Sequence, residues 1–309
     1  MTGALLVVGD VVTDVVARHR TPLAPGTDTS AEIRTLPGGA GANVACWAAR
    51  GGGTEVRLLG CVGADSAAWH ERELSAAGVR PLLVVDPEAR TGTVISLVDG
   101  GASAERTFLT DSGASLRLSA DDWSASLLDG VGRLHLSGYL FFAERTRTLV
   151  GAALSSARAR GVPVSVDPAS AGFLTELGVE RFLALAEGVD LLLPSEDEAR
   201  LLTGQPDPAD AAAKLSHLFP AVVVKRGGRG ALVGRAGEVR DRVPAVSAVR
   251  ARDSTGAGDA FTGALLAALL AGASLVDAAA EGCRAGARAV ARVGARPPSP
   301  MEPGSPAPP

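Results

Sequence analysis

Residues 252–266 read R-D-S-T-G-A-G-D-A-F-T-G-A-L-L, which joins a run of small residues to an apolar helix pattern. The small residues Gly256, Ala257 and Gly258 lead directly into Asp259. Apolar residues then recur at the spacing of a buried helix face. They are Ala260, Phe261, Ala264, Leu265, Leu266, Leu269 and Leu270. The pattern therefore predicts a helix whose N-terminus lies at residues 256–258.

A helix N-terminus at residues 256–258 predicts a binding site for an anion such as phosphate. The first N–H groups of a helix have no partners within the helix, and the helix dipole is positive there. Glycines let a phosphate approach the backbone closely. Because Asp259 would repel a phosphate, its carboxylate is better explained as the acceptor of a proton from a hydroxyl that attacks the phosphate. The alternative is a first-turn carboxylate that only stabilises the helix.

A second glycine-rich loop, P-G-G-A-G-A-N-V-A at residues 37–45, precedes another apolar run. It predicts a second close approach of a ligand to the backbone at a helix N-terminus. The alternative is the dinucleotide fingerprint of a nicotinamide-dependent oxidoreductase, but this loop lacks the third glycine and does not follow a strong strand. Since the chain contains no G-x-x-x-x-G-K-[ST] string, phosphate binding must rest on residues 256–258.

Strand-like and helix-like segments alternate along most of the chain, which predicts a mostly parallel sheet with helices on both faces. Strands are predicted at residues 4–8, 56–62, 131–136, 162–166, 189–193, 221–225 and 231–233. Helices are predicted at residues 66–77, 145–160, 173–186, 196–203, 258–271 and 275–291. Ligands bind such sheets at the carboxyl ends of the strands. The polar residues that follow strand-like runs are Asp10, Asp14, Asp167, Ser195, Lys225 and Asp259.

Two early segments interrupt this alternation. Residues 14–36 are polar and contain only short strand-like pieces. Residues 93–98 alternate between polar and apolar, turn at 99–101 and return over 105–110, which predicts a β-hairpin. Together the two segments predict a small sheet that stands off the main domain. The alternative is a pair of surface excursions.

Composition limits the class of protein. The 309 residues are 46% hydrophobic with a net charge of −4 and a pI of about 5.7, and no basic block suggests nucleic-acid binding. Three cysteines without C-x-x-C spacing predict neither a disulfide framework nor a zinc site. With no apolar run long enough for a signal peptide or a membrane span, we expect a cytoplasmic protein. Residues 297–309 are rich in proline and are predicted to be disordered.

The two glycine loops resemble the two signatures of one family, the ribokinase-like sugar kinases of the phosphofructokinase B type. Residues 253–263 resemble its second signature, D-T-x-G-A-G-D-x-F-x-G, with Ser254 in the Thr position. Residues 38–43, G-G-A-G-A-N, resemble its first signature, G-G-x-G-x-N. The resemblance implies a three-layer α/β/α fold with a mostly parallel central sheet and a small β-sheet lid. It implies a single domain over residues 1–296, with lid elements at about 14–36 and 92–110.

The same resemblance implies roles on the acceptor side of the site. Asp259 would be the catalytic base, with the backbone at residues 256–258 stabilising the transferred phosphoryl group. Asp14, Gly39 and Asn43 would bind sugar hydroxyls, and a carboxylate suits a vicinal diol because it accepts two hydrogen bonds side by side. Without the resemblance, Asp14 reads as a turn or cap residue.

On the nucleotide side, the resemblance implies that Lys225, Gly227 and Gly230 of the loop K-R-G-G-R-G contact ATP. Ser195 and Gly258 complete this predicted nucleotide site. The alternative for the loop is a basic surface turn.

Two sets of residues are implied to bind cations. Ser195 and Glu198, in S-E-D-E, stand where the family has N-x-x-E, which organises Mg²⁺ through waters, and only Glu198 matches. A capping box at a helix start explains the same pair. Asp253 and Thr255 lie where many members bind a monovalent cation such as K⁺.

The resemblance implies an enzyme that uses ATP and Mg²⁺ to phosphorylate a primary hydroxyl of a small sugar or sugar derivative, as a homodimer joined through the lid. One alternative is a nucleoside kinase of the same family, which phosphorylates a ribosyl 5′-hydroxyl. An alternative of another class is a non-catalytic sugar- or nucleotide-binding protein, which need not keep Asp259.

Several residues bear on the acceptor. Ala40 replaces the lysine that ribokinases commonly carry, which argues against ribose. The lid segments hold few aromatic residues, with Phe108 and Trp47 the nearest candidates for a base platform, and this favours a plain sugar. Arg34 and Arg106 leave a phosphorylated sugar open.

Overall fold

The computed structural model describes residues 3–99, 106–246 and 251–298. In chain order, its strands are β1 (Ala4–Val8), β2 (Val12–His19), β3 (Ala31–Gly38), β4 (Val56–Gly63), β5 (Val79–Asp86), β6 (Thr91–Asp99), β7 (Arg106–Gly113), β8 (Val131–Ser137), β9 (Val164–Asp167), β10 (Leu191–Leu192), β11 (Ala221–Lys225), β12 (Ala231–Arg235) and β13 (Glu238–Val243). Its helices are α1 (Ala40–Ala49), α2 (Ala67–Ala76), α3 (Glu144–Arg160), α4 (Ala171–Leu177), α5 (Val179–Leu185), α6 (Glu196–Thr203), α7 (Pro208–Leu215), α8 (Ala257–Leu270) and α9 (Leu275–Val290).

Nine strands form the central sheet, in the order β13-β12-β11-β10-β9-β8-β1-β4-β5. The pairs from β11 to β5 are parallel, and β12 and β13 are added antiparallel at one edge. Successive side chains of a strand point to opposite faces of the sheet. Accordingly Leu6 and Val8 pack in the cluster that includes α3 to α7, and Leu5 and Val7 pack in the cluster that includes α1, α2, α8 and α9. The predicted three-layer fold is therefore confirmed.

The smaller sheet has four strands in the order β3-β2-β6-β7. Strands β2 and β6 pair in parallel, and the outer strands pair antiparallel. The small sheet and the pairing of residues 93–98 with 106–110 are thus confirmed. The expectation of only short pieces within 14–36 was wrong, because β2 and β3 are eight residues long and support each other through their backbone pairing. The predicted turn at 99–101 falls partly outside the described residues.

Several elements differ from the sequence-based expectations. The helix predicted over 173–186 is two helices, α4 and α5, which meet at Gly178 with φ 90°. Strands β5 and β13 and helix α7 were not predicted. The predicted strand at 189–193 is reduced to β10, and that at 162–166 begins at Val164.

A cavity of about 1310 Å³ lies where the carboxyl ends of the central strands face the smaller sheet. It is lined by both glycine loops and by residues of β2, β6 and β7. Within the described ranges, no helix is long and apolar enough to cross a membrane. Of the segment predicted to be disordered, residues 299–309 lie outside the described part, and the single domain over 1–296 stays a prediction.

Candidate active site

The N-terminus of α8 opens toward the cavity through Ala257, Gly258 and Asp259. Gly256 precedes the helix with φ 72°, a conformation that favours glycine. A Cβ at Gly256 would lie only 2.6 Å from the Cβ of Ala295. Among the described residues, no side chain caps this helix. The N–H of Ala257 donates to the carbonyl oxygen of Ser254 over 3.3 Å, so the first turn offers the N–H groups of Gly258 and Asp259 to the cavity. Gly256 itself supports the turn from behind.

Asp259 lies at this helix start with its carboxylate held by one side chain. Asn43 Nδ2 donates to Asp259 Oδ2 over 2.8 Å. Burial raises the pKa of Asp259 to about 7, the hydrogen bond from Asn43 opposes this rise, and Asp167 adds to it. A carboxyl group with this pKa can accept a proton near neutral pH and release it again.

The first glycine loop is not an anion site in this structure, because Asp10 occupies its donors. Asp10 accepts the N–H groups of Ala40 over 2.6 Å and Gly41 over 3.1 Å, and the hydroxyl of Ser137 over 2.9 Å. Gly39 has φ 97°, and a Cβ there would clash with the carbonyl oxygen of Asp10. The N-terminus of α1 is thereby neutralised from within the chain, which also argues against a dinucleotide at this loop. Sequence reasoning named Asp10 among the polar residues at strand ends but did not predict that it caps α1.

Asp14 projects from β2 into the cavity beside Gly38, where an added Cβ would clash with the Asp14 carboxyl group. Burial raises the pKa of Asp14 to about 6, and the positive charge of Arg296 opposes this rise. Arg296 Nη2 donates to the carbonyl oxygen of Gly38 over 3.0 Å. Arg296, which follows α9, thus supports Gly38, the residue beside Asp14. The sequence did not indicate this role.

Ser195 and Glu198 form a capping box at the start of α6. Ser195 N donates to Glu198 Oε2 over 2.7 Å, and Glu198 N donates to Ser195 Oγ over 3.3 Å. Both residues also line the cavity. Burial raises the pKa of Glu198, Asp167 adds to the rise, and Lys225 opposes it. The capping interpretation therefore holds, and it leaves Glu198 facing the site.

Lys225 and Asp167 form a buried ion pair at the floor of the cavity. Lys225 Nζ donates to Asp167 Oδ2, and Thr262 Oγ1 donates to the same oxygen over 2.8 Å. Burial lowers the pKa of Lys225, but Asp167 and Glu198 raise it by more, so the net pKa is raised. Lys225 is therefore a permanent cation beside the N-terminus of α8, where an added Cβ at Gly258 would lie 3.5 Å from Nζ.

The loop from Lys225 to Gly230 is fixed by Glu196, which is 6% exposed. Its Oε2 accepts Arg229 Nη2 over 2.6 Å and Arg226 Nε over 3.3 Å, and its carboxylate also pairs with Arg200. Sequence reasoning missed Glu196, although it adjoins the singled-out Ser195.

Two glycines shape the same loop. Gly227 and Gly230 have φ of 54° and 80°, and a Cβ at Gly230 would clash with the carbonyl oxygen of Val243. Both glycines line the cavity, so the loop is a wall of the site rather than a free basic turn.

Asp253 lies behind the glycine turn and does not line the cavity, whereas Thr255 does. Asp253 Oδ1 accepts the N–H of Thr255 over 2.8 Å, and Oδ2 accepts the N–H of Gly294 over 3.0 Å. A monovalent cation at these residues stays a prediction. In the described ranges, no group of three or more His, Cys, Asp or Glu residues could hold a metal ion by itself.

The cavity brings together most of the residues singled out from the sequence. They are Asp14, Gly39, Asn43, Ser195, Glu198, Lys225, Gly227, Gly230, Thr255, Ala257, Gly258 and Asp259. Phe108 also lines it, but Trp47 does not: Trp47 is buried against Ala260, and its Nε1 donates to the carbonyl oxygen of Ala295 over 2.8 Å. Arg34 points its guanidinium at Glu32, with Nε 2.8 Å from Oε1, and is absent from the lining.

Comparisons with known proteins agree with this site. The sequence profile of the pfkB family of carbohydrate kinases matches residues 3–302. The chain is 31% identical over 308 residues to the bifunctional protein HldE of Caulobacter vibrioides, covering 94% of this chain but only 60% of that protein's length. It is 34% identical to a fructokinase of Escherichia coli, covering 87% of this chain and 85% of that protein.

A solved structure described as ribokinase II of E. coli, in complex with ATP and Mg²⁺, superposes with a TM-score of 0.83 at 27% identity. The match covers 95% of this chain and 94% of that chain. A profile match over nearly the whole chain, a ribokinase-like fold and an aspartate at the start of α8 all agree. The chain belongs to the pfkB family of carbohydrate kinases and is a phosphotransferase with an alcohol group as acceptor.

Proposed function

We propose that this protein phosphorylates a primary hydroxyl of a small sugar or sugar derivative at the expense of ATP. The observation that carries the proposal is the place of Asp259: a carboxylate of raised pKa at an uncapped helix N-terminus, in one cavity with Asp14 and Lys225. A site that only binds sugar or nucleotide has no need of a proton acceptor beside the anion-binding turn.

The reaction follows from these positions. Asp259 takes the proton of the acceptor hydroxyl while the hydroxyl oxygen forms a bond to the γ-phosphorus of ATP. The bond from that phosphorus to the bridging oxygen breaks, and ADP leaves with the electron pair. The N–H of Gly258 stabilises the negative charge on the transferred group, because it is fixed and needs no reorganisation. The N–H of Ala257 joins it by giving up its 3.3 Å bond to the carbonyl oxygen of Ser254. Lys225 neutralises charge on the phosphates.

Asp14, Gly39 and Asn43 hold the other hydroxyls of the acceptor. Asp14 suits this role because a carboxylate accepts two hydrogen bonds from a diol. Asn43 also positions the base, since its Nδ2 donates to Asp259.

Mg²⁺ fits the nucleotide side of the cavity. Mg²⁺ is usually bound by one or two carboxylates together with substrate phosphates and waters, so a preformed cage is not required. Glu198 and Asp167 supply carboxylates there. When bound, the ion neutralises phosphate charge. The purine of ATP has an apolar place beside Val246, Ala287 and Val290, and the glycines at 227 and 230 allow its phosphates near the loop.

The smaller sheet serves as a lid that excludes water and so limits hydrolysis of ATP. Its outer face carries apolar side chains, with Ile33 64% and Leu109 54% exposed. We propose that two copies of the chain contact each other through this face. The mass of the protein in solution tests whether it is a dimer. A reaction that consumes ATP is expected in the cytoplasm.

The direct test is release of ADP by the wild-type protein with ATP, Mg²⁺ and a panel of pentoses, hexoses, keto-deoxy sugar acids and nucleosides. We expect one group of acceptors to raise ADP release well above the rate with ATP alone. If no acceptor raises the rate although ATP binds, the proposed reaction is wrong for this chain.

Gly256→Ala is expected to lower both stability and turnover. A residue with a side chain pays about 1–2 kcal/mol for the left-handed conformation at φ 72°, and here the new Cβ also meets Ala295 at 2.6 Å. The clash must displace the first turn of α8 and its N–H donors. Urea unfolding and the rate of ADP release measure the two effects.

Gly204→Ala is the matched control, because Gly204 has φ 69° at the end of α6 and nothing lies within 4 Å of an added Cβ. Gly204→Ala should lose only the stability that a side chain costs in the left-handed conformation, and it should keep full turnover. Equal behaviour of the two variants would show that the contact with Ala295 does not hold the turn in place.

A further inference from the structure

Three aromatic rings form a cluster at the wall of the cavity, where the charges of Asp10 and Asp259 act on Tyr139. Phe173 stacks on Phe142 with ring centroids 5.0 Å apart and meets Tyr139 edge-on at 5.6 Å. Tyr139, the only tyrosine in the chain, and Phe173 both line the cavity. We call these two side chains the aromatic wall. Burial, and to a lesser degree Asp10, raises the pKa of Tyr139, so its hydroxyl keeps its proton and can donate.

The aromatic wall is held by the ends of two neighbouring strands. Tyr139 follows β8, and a Cβ at Gly138 would clash with the carbonyl oxygen of Pro168, so the two strand ends are in close contact. Ala169 has φ 74°, which is strained for a residue with a side chain, and its N–H donates to Asp167 Oδ1 over 3.3 Å. This turn leads into α4 and sets Phe173 against Tyr139. Strained backbone is tolerated where the surrounding structure needs that geometry.

The acceptor side also has a distinctive charge. Asp10 and Asp14 line it, and His135 is neutral because burial lowers its pKa to about 4. Among the described lining residues, Lys225, Arg226 and Arg229 are the cations, and all three belong to the nucleotide loop. The charge of Arg296 acts on Asp14, but its guanidinium donates to the carbonyl oxygen of Gly38 and does not line the cavity. An acceptor that carries a phosphate or carboxylate would therefore bring its charge close to Asp10 and Asp14 without meeting a cation among the described lining residues of that side, which is unfavourable.

We propose that the acceptor is an uncharged sugar that carries a planar aromatic group, that is, a nucleoside, with the face of the base against the aromatic wall and the sugar hydroxyls at Asp14. Aromatic faces bind bases of every kind by stacking, and fixed rings do so at little entropic cost. Phe108, which lines the cavity from the lid, supplies a further ring. This assignment rests on the proposed phosphorylation and names its acceptor class, the ribosyl 5′-hydroxyl.

The test compares wild type, Phe173→Leu and Phe173→Tyr. ADP release gives kcat/KM for adenosine, inosine, cytidine and uridine, for ribose, fructose and glucose, and for a sugar phosphate and a keto-deoxy sugar acid. Calorimetry of the same compounds measures binding without turnover. We expect a nucleoside to be the best substrate of the wild type. Phe173→Leu should lower kcat/KM for this nucleoside about tenfold to a hundredfold, chiefly through a higher KM. Phe173→Tyr keeps the ring, and its kcat/KM should stay near the wild-type value.

Each outcome decides between the two proposals. A plain sugar or an anionic sugar that equals or exceeds every nucleoside in the wild type overturns the nucleoside assignment and leaves the kinase proposal standing, whether or not Phe173→Leu folds. Equal losses for nucleoside and plain sugar in a folded Phe173→Leu protein also overturn it. If nucleosides bind in a manner that depends on Phe173 but no ADP is released, the ligand class stands and the proposed reaction fails.

Discussion

We expect Asp259→Asn to lose about 100-fold to 10,000-fold in kcat while the protein stays folded, because general-base catalysis contributes about that much. The asparagine keeps the shape of the side chain, and its carbonyl oxygen can still accept the hydrogen bond that Asn43 Nδ2 donates to Asp259 over 2.8 Å. What it loses is the ability to take a proton. The measurement is kcat for the best acceptor, with ATP binding by calorimetry as evidence that the site is intact.

Asp277→Asn is the matched control for this change. Asp277 also lies at the third position of a helix, α9, where it is exposed and its N–H bonds Ser274 Oγ over 3.1 Å. If Asp259 only stabilises its helix as a first-turn carboxylate, both variants should retain turnover. Full turnover in Asp259→Asn would therefore overturn the mechanism even if the protein is a kinase.

The pH dependence of the wild type gives a second view of the same residue. Because the pKa of Asp259 in the ligand-free protein is about 7, kcat/KM should fall as pH is lowered through about 7, where the base becomes protonated. Protonation of Asp14, whose pKa is about 6, should steepen this fall at lower pH by raising KM for the acceptor. A kcat/KM that stays constant down to about pH 5 would contradict the assignment of Asp259.

The free energy of unfolding should change with pH in the opposite direction to catalytic activity. Folding raises the pKa of Asp259 from 3.8 to about 7, so the folded protein binds this proton more tightly than the unfolded chain does. The contribution of Asp259 to the free energy of unfolding therefore decreases as pH rises from about 4 to about 7 and stays low above that. Asp259→Asn removes this loss, and we expect its free energy of unfolding at about pH 8 to equal or exceed that of the wild type.

The sequence predicted the features that depend on neighbours along the chain. The small residues before Asp259 and the apolar spacing after it lie within one stretch, so the start of α8 could be predicted to within a residue. The alternation of strand and helix patterns likewise predicted the parallel sheet. Helix α7 had usable signals that were missed, since Asp207 caps it and Pro208 occupies its first position. Strand β5 was missed because it is an edge strand, half-exposed, with Arg80 and Pro81 in its sequence.

Features that depend on distant residues could not be predicted. Asp10 caps α1 from 30 positions away, and Glu196 holds Arg229 from 33 positions away. The aromatic wall joins Tyr139 and Phe173, which follow different strands. A search for a base platform confined to the lid therefore found only Phe108 and Trp47, of which Trp47 is in the core. Such contacts become visible only when the order of the strands is known.

Lys225→Met is the second large effect, and it should reduce stability as well as activity. The Lys225 side chain is 11% exposed and that of Asp167 is 12% exposed. Removal of one partner of a buried ion pair costs about 3–5 kcal/mol, because the other charge stays buried without compensation. Here Glu198 also loses a nearby cation. Urea unfolding measures the change, and Lys214→Met, which replaces the only other lysine, is the control: its ammonium donates to the carbonyl oxygen of Thr203 over 2.7 Å.

A double variant separates the two roles of Lys225. In Lys225→Met with Asp167→Asn, the charge of Asp167 is no longer left buried without a partner. Glu198 then loses the repulsion of Asp167 together with the attraction of Lys225. The new amide oxygen can still accept the hydroxyl of Thr262, which donates to Asp167 over 2.8 Å in the wild type. We expect the double variant to recover most of the lost stability.

The double variant should not recover ATP binding. A lysine ammonium has three donors and only one is needed for Asp167, which leaves two for phosphate. Loss of a hydrogen bond to a charged group predicts a rise of about tenfold or more in the Kd for ATP. Calorimetry without Mg²⁺ measures this Kd, so that loss of the Asp167 carboxylate does not act through the ion. If the double variant binds ATP as the wild type does, Lys225 serves only to neutralise Asp167, and the phosphate charge is compensated elsewhere in the cavity.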